Sequence, residues 1–143
     1  MVRINLINPR ALADQHLIAE YNEILMLFGY VRKHPHTHFN QIPENYKLGQ
    51  GHILFFKNKL KYLEKRHELI KKELRNRKFR TDKIINLNNF DKKLLNNWYP
   101  NSDDFNIIKE RLTWKINLKP NYYKYYKEKK PKEFFIGLIE NAK

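Results

Sequence analysis

The chain has 143 residues, enough for one modest hydrophobic core and not two, so it reads as a single domain over residues 1–143. At 41% hydrophobic and 14% aromatic it is too apolar for a disordered basic tail. It has no cysteine, which excludes disulfides, zinc–thiolate sites and a thiol nucleophile.

Lys and Arg number 29 against 15 Asp and Glu, a net charge of +14. Such a field selects polyanions as partners, and lysine-rich codon usage accounts for only part of it, since that bias does not withhold acids. No apolar run approaches the roughly 20 residues of a bilayer span. Met1-Val2-Arg3-Ile4-Asn5-Leu6 lacks the apolar centre of a signal peptide. A soluble, intracellular protein that does not engage membranes is expected.

Asn8-Pro9 carries the signals that open a first helix, an Asn cap and a proline whose missing N–H costs nothing there. Leu17, Tyr21, Ile24, Phe28 and Val31 form one apolar helical stripe, which Pro35 ends. A loop with Pro43, Gly49 and Gly51 follows. Phe56, Leu60, Leu63, His67, Ile70 and Leu74 mark a second helix with a Lys/Arg-rich outer face. Between Phe79 and Pro100 the pattern is irregular, with Ile84, Ile85, Leu87, Phe90, Leu94 and Leu95 expected to cover the core. A third helix starts near Ser102, with Asp103 and Asp104 in its first turn and Phe105, Ile108, Leu112 and Ile116 inward, and Pro120 stops it. No run alternates like a strand. The fold expected is all-α, a compact domain of three main helices joined by long loops.

Beside the apolar stripe of the first helix, His16, Glu20 and Glu23 project in nearly one direction. They fit a solvated edge with an i,i+4 pair, or a carboxylate held beside a DNA-binding surface for acid–base or electrostatic work. Spacing alone does not choose between Glu20 and Glu23. His34, His36 and His38 alternate, but Pro35 interrupts them and no carboxylate accompanies them, so no metal site is expected. Tyr122-Tyr123-Lys124-Tyr125-Tyr126-Lys127 interleaves rings with cations, a pattern that suits packing on the core and stacking on bases alike.

Taken in order, several segments resemble one family. They are Arg3-Ile4-Asn5-Leu6, Leu12-Ala13-Asp14-Gln15-His16-Leu17, Ala19-Glu20-Tyr21, Glu23, Phe28-Gly29 and Val31-Arg32-Lys33-His34. Leu48-Gly49, Gly51-His52, Phe55-Phe56, Lys59-Leu60, Leu63 and Lys65-Arg66 continue the match. Arg111-Leu112, Lys115-Ile116, Pro120 and Tyr123-Lys124-Tyr125-Tyr126 complete it. Over residues 2–127 the chain resembles the pyrimidine-dimer DNA glycosylases of bacteriophage and algal viruses.

That resemblance implies a nucleophilic α-amino group on Val2, freed by removal of Met1, and assigns the acid to Glu23. It places Arg3, His16 and Gln15 around the same centre, with no metal or diffusible cofactor. It implies a Schiff-base intermediate linking base removal to β-elimination, and duplex DNA carrying ultraviolet damage as partner of a monomer. Arg32, Lys33, His34, Arg111 and Lys115 fall on the family's DNA-contacting positions, and Tyr122, Tyr123 and Lys124 on its aromatic motif. Three features depart from the phage pattern. Asn22 and Met26 replace arginines beside the acid, and Tyr122 stands where tryptophan is expected. Residues 128–143 form an extension that contains Phe134-Phe135-Ile136-Gly137-Leu138-Ile139.

Overall fold

A computed structural model describes residues 3–35 and 41–143. The fold is all-α, with three long helices: α1 (Asp14–Lys33), α3 (Leu60–Asn76) and α4 (Ser102–Leu118). The short α2 (His52–Phe56) and a C-terminal α5 (Lys132–Asn141) join them. A two-residue antiparallel ladder pairs β1 (Lys124–Tyr125) with β2 (Glu128–Lys129).

Asn8-Pro9 opens a 3₁₀ turn, Pro9–Ala11, rather than α1 itself. Asn8 Oδ1 accepts from the Arg10 N–H at 3.0 Å, and Leu12 and Ala13 are extended, so the helix begins at Asp14. All five residues of the predicted α1 stripe are buried, packed chiefly against α3. The helix ends at Lys33, before Pro35, and His36 and His38 lie outside the described residues.

The predicted second helix is interrupted. Phe56 belongs to α2, and Lys59 leaves helical geometry (φ −126°, ψ 40°) to bridge Leu95 before α3 starts at Leu60. The Lys/Arg face divides as well. Lys61, Lys65, Lys72 and Arg75 are exposed, whereas Arg66, Lys71 and the following Arg77 are buried. Ile84 corrects the expected core, being 80% exposed, while Leu94 is buried and Ile85, Leu87, Phe90 and Leu95 are partly so. The cap of α4 is Asn101, in a reciprocal capping box with Asp104 at 2.9 Å each way. The extension folds as α5, whose Phe135 and Ile139 are buried as it packs against α4 and the Pro9–Ala11 turn.

Arg77, just past α3, ties the two ends of the chain together. Its guanidinium donates to Asp14 Oδ1 (2.9 Å), Glu73 Oε2 (2.8 Å) and Leu12 O (2.8 Å), and lies over the rings of Tyr125 (4.3 Å) and Tyr126 (5.0 Å). Asp14 also accepts from the backbone N–H of Tyr126 (3.2 Å) and Lys127 (2.7 Å). Those two residues have positive φ (51° and 68°) and form the tight turn between β1 and β2. A buried charge is tolerated only when fully paired, and here two carboxylates and the backbone carbonyls of Leu12 and Pro9 supply the pairing. The C-terminal segment is thereby held against the start of α1, where it closes one side of a cleft.

Candidate active site

The cleft, of about 300 Å³, lies where the N-terminal segment, the first turns of α1, the last turns of α4 and the 122–123 stretch meet. Arg3, Gln15 and His16 form one side, and Arg111, Lys115 and Lys119 the other. Tyr122 and Tyr123 close it.

The N-terminal segment is pinned at Ile4. Its N–H donates to His52 Nε2 at 3.0 Å, and its carbonyl accepts from the Tyr46 hydroxyl at 3.1 Å. His52 Nε2 must be unprotonated to accept, so Nδ1 carries the proton and donates to Lys47 O at 2.8 Å. Burial lowers the His52 pKa to about 4, with Arg3 and Arg111 adding to the effect against the Lys47 hydrogen bond. Gly49 (φ +70°) and Gly51 (φ +93°) shape the loop that delivers His52. This clamp was not legible as a site. Its one signal was the Gly51-His52 pair among the matched residues, to which spacing assigned no role.

Of the three acids of α1, Asp14 is buried against Arg77, and Glu20 and Glu23 separate sharply. Glu20 is fully buried and locked to Arg66, with Nε–Oε2 at 2.7 Å and Nη2–Oε1 at 3.1 Å. Arg66 also donates to Leu6 O and Ile7 O, fixing the N-terminal segment from below. Glu23 is half-buried; burial raises its pKa, and the neighbouring Arg3 charge opposes that rise. It lies two turns along α1 from His16, roughly 10 Å. Only Glu23 remains available for chemistry at the surface.

His16 packs against Tyr123, ring centroids 4.7 Å apart. Burial first, then the charges of Lys115 and Arg111, lower its pKa to about 4, so it is neutral near pH 7. Arg111 is held below the usual guanidinium range by burial and then by Arg3, a clustering of like charge that suits an anionic ligand. Gln15 bridges α1 to the C-terminal segment, donating to Tyr122 O and accepting from the Lys124 N–H, both at 3.0 Å.

Arg3, Gln15 and His16, expected around the active centre, and Arg111, Lys115, Tyr122 and Tyr123, expected on the DNA-contacting surface, line one cleft, whereas Glu23 and Lys124 do not line it. Tyr123 is mostly buried, between His16 and Phe135, whereas Tyr122 and Lys124 are exposed. Arg32, Lys33 and His34 are exposed at the far end of α1, about 25 Å from His16. Val2 lies outside the described residues. Asn5, Leu118 and Lys119 also line the cleft and were not singled out from sequence. Among the described residues no three acids or histidines converge as metal ligands, and no helix is long and apolar enough to cross a membrane.

A family model, pyrimidine dimer DNA glycosylase, matches residues 1–87. The match takes in Arg3, Gln15, His16, Glu23 and the His52 clamp, and stops before the α4 wall of the cleft. The chain belongs to the pyrimidine dimer DNA glycosylase family, whose members are DNA-repair enzymes acting on DNA.

Proposed function

We propose that the chain removes the 5′ base of an ultraviolet-induced cyclobutane pyrimidine dimer in duplex DNA and then cuts the strand. The α-amino group of Val2, freed by loss of Met1, is the nucleophile. Its ordinary pKa of about 7.7–8.0 leaves a useful neutral fraction near pH 7, and neighbouring cations increase it. The amine attacks the anomeric carbon, the base leaves with the glycosidic electron pair, and opening of the sugar gives an imine. Glu23 stabilises the cationic sugar and then takes the 2′ proton, and the 3′ C–O bond breaks by β-elimination. The protein acts as a monomer, as one domain, without a diffusible cofactor.

One observation carries this reading. Arg3, neutral His16 and the cations of α4 converge at the start of the chain, and Glu23, in the field of Arg3, is the acid of α1 left outside the core. Arg32, Lys33 and His34 extend the cationic face along the duplex, a span of about seven base pairs for a 25 Å separation.

The test is incision of a duplex containing one cis-syn thymine dimer. Wild type is expected to cut it, and Glu23→Gln to lose at least about 100-fold in rate with DNA affinity retained. Equal cutting by both would remove Glu23 from the mechanism. Asn22 and Met26 are exposed at positions that carry arginine in the phage pattern, which favours a second reading: the same amine chemistry on another lesion or on abasic sites. Cutting of abasic but not dimer DNA would select it.

A further inference from the structure

The outer face of α3 carries a groove with an apolar centre. Leu69 and Ile84 are 55% and 80% exposed, and both line a depression of about 600 Å³ with Glu64, Lys65 and Glu68. Leu69 also lines two neighbouring hollows, so the groove continues along the helix past Lys72 and Asn76 to Arg10 of the N-terminal turn. From Glu64 to Asn76 is about 18 Å of helix, the length of five or six extended residues. None of its lining residues lines the cleft, and α3 turns its other side, with Leu63, His67, Ile70 and Leu74, into the core. Arg10, Lys65, Lys72 and Arg75 edge the groove. Of its acids, Glu68 is paired with Lys71 at 3.0 Å and Glu73 with Arg77 at 2.8 Å, which leaves Glu64 against the four cations. Arg75 donates to Thr81 Oγ1 (2.8 Å) and Thr81 O (3.0 Å), mooring the stretch that carries Ile84 beside the helix. Among the described residues, no backbone–backbone hydrogen bond engages residues 80–86.

We propose that this face docks an acidic peptide segment of a partner protein, with aliphatic side chains on Leu69 and Ile84 and carboxylates on the four cations. The backbone of residues 80–86 offers donors and acceptors to an extended segment beside it, which a peptide can use in both senses. Nucleic acid is the poorer occupant. The groove presents aliphatic side chains where bases need rings, and Glu64 and Glu68 stand among the positions phosphates would take. A second copy would set four cations against four, on a chain of net charge +14. Docking on α3 leaves the cleft open, so partner and DNA are held together.

The experiment follows the fluorescence anisotropy of three labelled peptides of about eight residues with the full chain. One alternates aspartate with leucine, one aspartate with serine, and one lysine with leucine. The first is expected to bind at least about tenfold more tightly than either control, since it alone meets both the charge and the apolar centre. Leu69→Ser and Lys72→Glu should each weaken it by about tenfold. Both side chains are exposed, so melting temperatures are expected to stay within a few degrees of wild type, with duplex affinity within about threefold. A saturating duplex should leave the peptide bound. Equal binding of the aspartate–serine peptide would reduce the face to a general field of charge, and displacement by duplex would make it a DNA surface. Self-association abolished by Leu69→Ser would assign it to a second copy. Each of these overturns the proposal, as does wild-type peptide affinity in Leu69→Ser. Peptide binding is read without strand cutting, so its failure is separate from failure of the repair reading.

Discussion

Arg66 grips Glu20 with two hydrogen bonds, at 2.7 and 3.1 Å, and so withdraws into the core the acid that lies one turn before Glu23. Removing one partner of such a pair leaves an uncompensated buried charge. Glu20→Gln is expected to cost about 3–5 kcal/mol in denaturant unfolding. Glu23→Gln should leave stability unchanged or slightly higher, because burial already works against the Glu23 carboxylate. Equal costs for the two would contradict the division of roles.

The Ile4 clamp acts through the backbone of the segment that leads to Val2. Tyr46→Phe strands the Ile4 carbonyl, at a cost of about 1–3 kcal/mol. His52→Leu strands its N–H. Both are expected to lower turnover on dimer DNA at least tenfold with DNA affinity within threefold. His52→Gln, which keeps an acceptor and a donor, should recover part of the loss. A loss of affinity equal to the loss of turnover would argue for general unfolding rather than positioning.

Acid should unfold the protein early. His16, His52 and His67 each titrate near 4 in the folded chain, chiefly through burial, against about 6.5 when unfolded. The unfolded chain therefore binds more protons between those values. Their contribution is complete above about pH 6.5 and is lost as pH falls towards 4, at up to about 1.4 kcal/mol per pH unit for each histidine. Glu23, with its raised pKa, works in the opposite direction, one group against three. Denaturant midpoints measured from pH 7 to 4 check this, and a flat profile would contradict it.

Binding should depend steeply on salt. With about six phosphates engaged, log affinity is expected to fall with log salt at a slope near −5. Arg111→Ala and Lys115→Ala should each reduce that slope by about one. Unchanged slopes would move the DNA off the α4 wall.

Local periodicity made much of the fold legible, and the cleft only in part. The stripe Leu17, Tyr21, Ile24, Phe28 and Val31 repeats at helical spacing and is buried as that spacing requires. Ile84 was misplaced because an apolar residue in an irregular stretch carries no phase to say which way it faces. Glu20 and Glu23 share a helix edge, and what separates them is Arg66, 46 residues away, which no local pattern reports. The same holds for Arg77, whose partner Asp14 lies 63 residues back. Residues 134–139 were visibly apolar, yet without a side-chain cap nothing marked them as a helix. Gln15 of α1 and Arg111 and Lys115 of α4 were found through family resemblance, and Leu118 not at all, because their convergence is a property of the packed chain.

The most direct measurement is borohydride trapping on a duplex with a single cis-syn thymine dimer, with the adduct mapped by mass spectrometry. Amine catalysis predicts a covalent adduct on Val2, absent on undamaged DNA and abolished when the N-terminus is blocked. No adduct from protein with Met1 verified as removed, or an adduct on a lysine, would contradict it.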